Sequence, residues 1–173
     1  MKNGEEGFLV RVARKSLESY VKGKWDTTLM EEVPVEFRHR AGAFVTLKKD
    51  GELRGCIGTI APRRDNVAEE VLYNAVAAGT EDSRFFPMAE DELKDLVYSV
   101  DVLGEPEPVK DVSGLDPKNY GVIVRKGFRS GLLLPNIEGV DTVEMQLGIA
   151  CQKAGINPYD DYKIERFKVT RYK

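Results

Sequence analysis

The chain has 173 residues, 42% of them apolar, with 26 basic and 29 acidic side chains and a formal net charge of −3. That length suits one domain, and that composition is too apolar for a disordered chain. Without a basic excess, a general nucleic-acid binder loses weight. The longest unbroken apolar run, Ala75-Val76-Ala77-Ala78, is far short of the about 20 residues needed to span a bilayer. Met1-Lys2-Asn3-Gly4-Glu5-Glu6 lacks the apolar core of a secretion signal. Cys56 and Cys151 lie far apart and give neither a metal spacing nor a disulfide framework, which suits a reducing compartment. The expectation is therefore a cytoplasmic protein with no membrane association. No internal repeat or low-complexity segment is visible.

Phe8, Leu9, Val12, Ala13, Ser16, Leu17, Tyr20 and Val21 recur at three- and four-residue steps. They predict a helix over 5–22 with one buried stripe, stopped by Gly23. Residues 24–40 read as irregular, with Pro34 against a continuous helix. A strand over 43–47, turn chemistry at Lys49-Asp50-Gly51 and a return strand over 53–60 make the strongest hairpin signal. Gly55 and Gly58 inside that return strand point to a bulge or a close backbone approach. Asp65 is the expected cap of a second helix over 66–78, whose inner face is Ala68, Val71, Leu72, Ala75 and Val76.

Residues 79–87 read as a loop, and 96–103 alternate as a strand that Pro106 and Pro108 end in a surface connection. A second hairpin pairs 122–124 with 132–134 around Lys126-Gly127. Asp141-Thr142-Val143-Glu144 resembles a capping box. It opens a third helix that buries Val143, Leu147, Ala150, Cys151 and Ala154 and stops at Gly155. Residues 164–172 form a terminal strand. The order α, ββ, α, β, ββ, α, β predicts an α+β fold with a largely antiparallel sheet and flanking helices.

Leu53-Arg54-Gly55-Cys56-Ile57-Gly58 is the most unusual local sequence. The glycines admit a ligand or another backbone, Arg54 offers a planar fork to a carboxylate or phosphate, and Cys56 would be a nucleophile if a neighbour lowered its pKa. The plainer reading makes Cys56 a small apolar filler. Strict alternation puts Leu53, Gly55 and Ile57 on one face and Arg54, Cys56 and Gly58 on the other. His39 is the single histidine, so no multi-histidine metal site can form, and in Arg38-His39-Arg40 it reads as solvated or structural. Asp82-Ser83-Arg84-Phe85 reads either as an Asp82–Arg84 network with Phe85 in the core or as a polar pocket wall. Gly127-Phe128-Arg129-Ser130-Gly131 matches no phosphate-binding loop.

At Leu53-Arg54-Gly55-Cys56-Ile57-Gly58 the chain resembles the AMMECR domain family, whose prokaryotic members include the AmmeMemoRadiSam system protein A. The resemblance extends through residues 41–47 before the hexapeptide, Glu81-Asp82-Ser83-Arg84-Phe85, Glu92-Leu93, Ser130-Gly131-Leu132-Leu133-Leu134-Pro135 and Lys153-Ala154-Gly155. It covers about residues 8–170 in the family's order. Leu133 departs from the Phe of many members, a packing difference. The resemblance implies a single AMMECR-type domain over 1–173 built as two interleaved, unequal lobes around a cleft. It also implies Memo-like and radical S-adenosylmethionine proteins as partners, and no reaction or cofactor. An extradiol dioxygenase site is impossible in this chain, since its iron needs two histidines and a carboxylate.

The functional expectation is a binding or scaffold module. Arg54, Gly55, Cys56, Ile57 and Gly58 would form one wall of a site and Asp82, Arg84 and Phe85 the other, docking a small anionic ligand or a partner's terminus. The alternative is a small enzyme with Cys56 as nucleophile and Arg54 or Arg84 stabilising negative charge. Nucleic-acid binding would rest on Arg11, Arg14, Lys15, Arg38, Arg40, Arg63 and Arg64, which acids interrupt. Geometry predicts Arg54, Asp82 and Arg84 within one pocket's width, with a surplus cation that an anion would balance unless Glu52 or Glu81 does so.

Overall fold

The amphipathic stretch at the start folds as α1 (Phe8–Val21) and buries Leu9, Val10, Val12, Ala13, Ser16 and Leu17. The computed structural model describes residues 6–173, so the start expected at Glu5 lies outside the described residues. Tyr20 is 47% exposed rather than part of the buried stripe. It sits instead edge-on to Trp25. Gly23 takes a positive φ, and the Gly23 and Lys24 amides donate back to the Tyr20 and Ser19 carbonyls, a Schellman ending. Residues 24–40 hold two short 3₁₀ turns, Thr28–Glu32 and Val35–Phe37.

The first hairpin joins β1 (Ala43–Lys49) to β2 (Glu52–Gly58) through Asp50-Gly51, both at positive φ as a type I′ turn requires. Leu47 faces Gly55 while Lys48 faces Leu53, so Arg54 is an extra residue in β2. This bulge breaks the expected alternation, and Leu53 is 38% exposed instead of sharing the buried face of Gly55. Helix α2 (Val67–Thr80) packs on both strands. Its cap is Asn66, whose side chain accepts from the Glu69 amide, not Asp65. Its five expected inner residues are buried. The helix runs two residues beyond Ala78, so the loop begins at Glu81. Strand β3 (Leu96–Leu103) lies along the other edge of β1, antiparallel.

After β3 the chain forms β4 (Glu107–Val109), β5 (Gly121–Lys126), β6 (Arg129–Leu133), α3 (Val143–Ala154), β7 (Lys163–Phe167) and β8 (Val169–Tyr172). Pro108 sits inside β4, where a plain connection was expected; β4 is a sheet edge, the one place a strand tolerates proline. Thr142 rather than Asp141 caps α3, accepting from the Met145 amide. Val143 and Ala154 are only partly buried, and Gln146 takes an inner position. The single terminal strand expected over 164–172 is two strands, because β7 joins one sheet and β8 the other.

Two four-stranded sheets result, ordered β2-β1-β3-β8 and β4-β7-β5-β6. The pairs β1–β2, β1–β3, β4–β7, β5–β6 and β5–β7 are all antiparallel, which gives an α+β fold with helices flanking the sheets. The chain divides into two compact units, Met1–Val102 with Thr170–Lys173, and Leu103–Val169. In the first, α1 and α2 pack together and α2 covers the hairpin, around Leu17, Val45, Leu47, Val71 and Val100. In the second, α3 packs on β5 and β6 around Val122, Val124, Leu147 and Cys151.

Candidate functional site

Antiparallel register fixes which side chains of the first sheet share a face. Thr46 stands opposite Cys56 on one side and Ser99 on the other, and Phe44 stands opposite Gly58 and Asp101. These residues share one face, because 44 and 46 are two apart in β1. Leu47, Gly55 and Tyr98 form a row on the opposite face, toward the core.

The loop after α2 attaches to β2 through Asp82. Its Oδ2 accepts from the Cys56 amide at 3.0 Å. Arg84 grips the same carboxylate, Nε to Oδ1 at 3.0 Å and Nη2 to Oδ2 at 2.8 Å. Asp82 is buried, and the Arg84 guanidinium with the Cys56 and Arg84 amides holds its carboxyl well below the usual carboxylate range. One residue on, the Phe85 ring lies 5.6 Å from the Arg84 Cζ and 5.7 Å from the Arg54 Cζ. The two guanidinium carbons are thus at most about 11 Å apart, within one pocket's width as expected.

The surplus cation does not arise as the sequence suggested. Arg54 makes a two-point contact with Glu92, Nε to Oε1 and Nη2 to Oε2, both at 2.9 Å, and Nη2 also reaches the Phe86 carbonyl. Lys49 joins Glu92 at 3.2 Å. Arg54 first, then the Ala89 amide and Lys49, favour the charged form of Glu92 and pull its carboxyl down to about 2. Both arginines are therefore neutralised, by Glu92 and Asp82 rather than by Glu52 or Glu81. Phe85 is half-buried between guanidiniums instead of lying in the core.

Cys56 sits among these pairs. Its Sγ is 3.3 Å from Thr46 Oγ1. Arg84, Asp82 and Asp101 act on it electrostatically, yet burial is the largest influence and pushes the thiol up. Asp101, 2% exposed, is held by Arg171 from β8, Nε to Oδ1 at 2.7 Å and Nη2 to Oδ2 at 2.9 Å. Two Asp–Arg pairs thus flank one neutral thiol, with both carboxylates buried and both guanidiniums half-exposed at 56% and 47%.

The structure brings Arg54, Cys56, Asp82, Arg84 and Phe85 together and leaves Gly55, Ile57 and Gly58 outside that polar cluster. A side chain at Gly55 would collide with the Ala78 carbonyl oxygen of α2, and one at Gly58 with the Phe44 ring. Ile57 packs against the core. His39 lies outside the cluster, with Nδ1 donating to the Glu36 carbonyl at 2.9 Å. Among the described residues, no group of three or more His, Cys, Asp and Glu side chains could hold a metal ion. No helix among them is long and apolar enough to cross a membrane.

Sequence reasoning missed Asp101, Arg171, Thr46 and Lys49, and it saw Glu92 only as part of a landmark. It also missed Glu70, a 2% exposed carboxylate that accepts from Thr59 Oγ1 at 2.6 Å and from the Arg63 and Arg64 amides at 2.8 and 2.9 Å. An acid in the first turn of α2 beside an irregular 59–66 segment was the available signal.

Hairpin, covering helix and Asp-anchored loop define an α+β protein with a charge-paired cluster on one face of its first sheet. Sequence comparison gives that class its family. The AMMECR1 family model matches residues 10–173. A Thermotoga maritima protein is 58% identical over 173 residues, covering 98% of this chain and 99% of that one. A Clostridium acetobutylicum protein is 52% identical over 99% of this chain, which spans only 37% of that relative's length. The solved structure of the uncharacterized protein PH0010 from Pyrococcus horikoshii matches with a TM-score of 0.85 at 34% identity, over 95% of this chain and 88% of that one. The chain belongs to the AMMECR1 family.

Proposed function

We propose that this protein is a cytoplasmic binding or scaffold module whose hairpin site docks a small anion or the terminal carboxylate of a partner chain. One observation carries the reading. Arg84 and Arg171 each commit Nε and Nη2 to a buried aspartate, which fixes the guanidiniums and leaves Nη1 of each without a partner among the described residues. Preorganised, half-exposed guanidinium donors suit planar oxyanions. Cys56 contributes a neutral thiol, not a nucleophile, since burial raises its pKa and its amide is already taken by Asp82. The Memo-like and radical S-adenosylmethionine proteins implied by the family resemblance are the partners proposed. Nucleic acid fits less well, because Arg14, Arg38, Arg40 and Arg64 are engaged by Glu6, backbone carbonyls and the Tyr73 ring.

Calorimetric titration with acetate and with inorganic phosphate tests the reading. Binding at millimolar concentration, weakened at least tenfold by Arg84→Ala and kept by Cys56→Ser in a folded protein, is the expected result. Absence of heat from either anion at about 10 mM would remove the anion site, since that corresponds to less than about 3 kcal/mol of affinity.

A further inference from the structure

A recess of about 510 Å³ opens in the first unit beside α1, β1 and β3. That volume is in the range of small-ligand sites. Its lining brings four cations, Arg14, Lys48, Arg171 and Lys173, together with Glu6, two hydroxyl residues and apolar Val10 and Tyr98. Two of the four cations are already balanced. Arg14 meets Glu6 at 2.6 Å and Glu18 at 3.7 Å, and Arg171 meets Asp101. Lys48 and Lys173 have no side-chain carboxylate partner among the described residues.

The second, independent feature is Tyr98. It is 2% exposed, lines the recess, and its hydroxyl has no hydrogen-bond partner among the described residues. The Arg14 guanidinium carbon lies 4.6 Å from its ring centroid. A buried hydroxyl without a partner costs free energy, and a ligand acceptor that reached it from the recess would recover that cost. Burial also keeps that hydroxyl protonated as a donor.

The geometry points to this recess as a second ligand site, for an organic anion whose apolar or aromatic body lies against Val10 and Tyr98 while its phosphate or carboxylate meets Lys48 and Lys173. Arg171 and Thr46 border both this recess and the Cys56 cluster, so the two sites adjoin. Lys48, Lys173 and Tyr98 belong to the recess alone, and Arg84 to the other site alone.

Phenyl phosphate and inorganic phosphate are titrated into the full chain by calorimetry, with thermal melts in parallel. Phenyl phosphate should bind at least fivefold more tightly than phosphate. Lys48→Gln with Lys173→Gln should weaken it at least tenfold, and Lys118→Gln, at a residue that lines neither site, should leave it unchanged. Tyr98→Phe should melt no lower than wild type when empty, because the hydroxyl it removes has no partner, yet gain less stability from phenyl phosphate. Undiminished binding in the double lysine variant, or none in wild type, overturns the recess site. Loss of phenyl phosphate binding in Arg84→Ala alone also overturns it, by moving the anion to the Cys56 cluster, and leaves the proposed function standing.

Discussion

Burial and hydrogen bonding act in opposite directions on the Cys56 thiol. Desolvation raises its pKa, while Thr46 and then Arg84 lower it, and burial prevails. At neutral pH the group is a thiol, which alkylates slowly because the thiolate is the reactive form. Iodoacetamide should therefore label native Cys56 slowly at pH 7, with a rate still rising above pH 9; fast labelling that levels off below pH 7.5 would restore the nucleophile reading. Glu92 gives a second test at this scale. Its folded pKa is depressed from 4.5 to about 2 by Arg54 foremost. A depressed carboxyl stabilises the fold above the unfolded pKa, and that stability is lost as pH falls through the folded value. Wild type should thus melt above Glu92→Gln at pH 6, with the gap closing between about pH 4.5 and pH 2. A gap of constant size across that window would mean the Arg54–Glu92 pair contributes nothing through charge.

Both hairpins use the same device to seat a helix. At Gly55 the Ala78 carbonyl of α2 occupies the place of a side chain, and at Gly131 the Ala150 carbonyl of α3 does. Backbone atoms cannot swing aside as a side chain can, so Gly55→Val and Gly131→Val should each lower stability by about 1–3 kcal/mol or more through overpacking. Urea unfolding measures this, and a midpoint within error of wild type at either position would sink the claim for that hairpin. Close approach at Gly55 was legible because a glycine in a strand has few other uses. Hairpins were legible for a local reason, since Asp50-Gly51 and Gly127 set their own turns. Helix caps were displaced by one residue because Asp65 and Asn66, like Asp141 and Thr142, are neighbouring cap formers. The choice depends on which side chain reaches the Glu69 or Met145 amide, a backbone-angle question that composition does not answer. The bulge at Arg54 was expected only as an alternative, so the phase of Leu53 was misjudged. The partners Glu92 and Asp101 were not legible at all, because nothing local links them to Arg54 and Arg171.

The first unit is assembled from two stretches of chain, and its edge strand arrives only after the whole second unit has been passed. Asp101 and Arg171 meet across 70 positions of sequence. Closure entropy grows only logarithmically with the intervening length, so such an insertion adds little to the cost of the contact. What the contact secures is larger. Asp101 is 2% exposed and paired with Arg171, and its burial is tolerable only while that partner is in place. Arg171→Met should leave an uncompensated buried carboxylate. Breaking a fully buried pair costs about 3–5 kcal/mol, and water reaching the half-exposed guanidinium reduces the expected loss here to about 1–3 kcal/mol. Adding Asp101→Asn should recover most of it by removing the stranded charge, whereas deleting residues 170–173 should cost more than Arg171→Met because β8 goes too. Urea titrations of the four proteins distinguish these outcomes. A loss under about 0.5 kcal/mol in Arg171→Met, within the ordinary scatter of surface substitutions, would mean that β8 is held by backbone pairing alone and that the buried aspartate finds its compensation elsewhere.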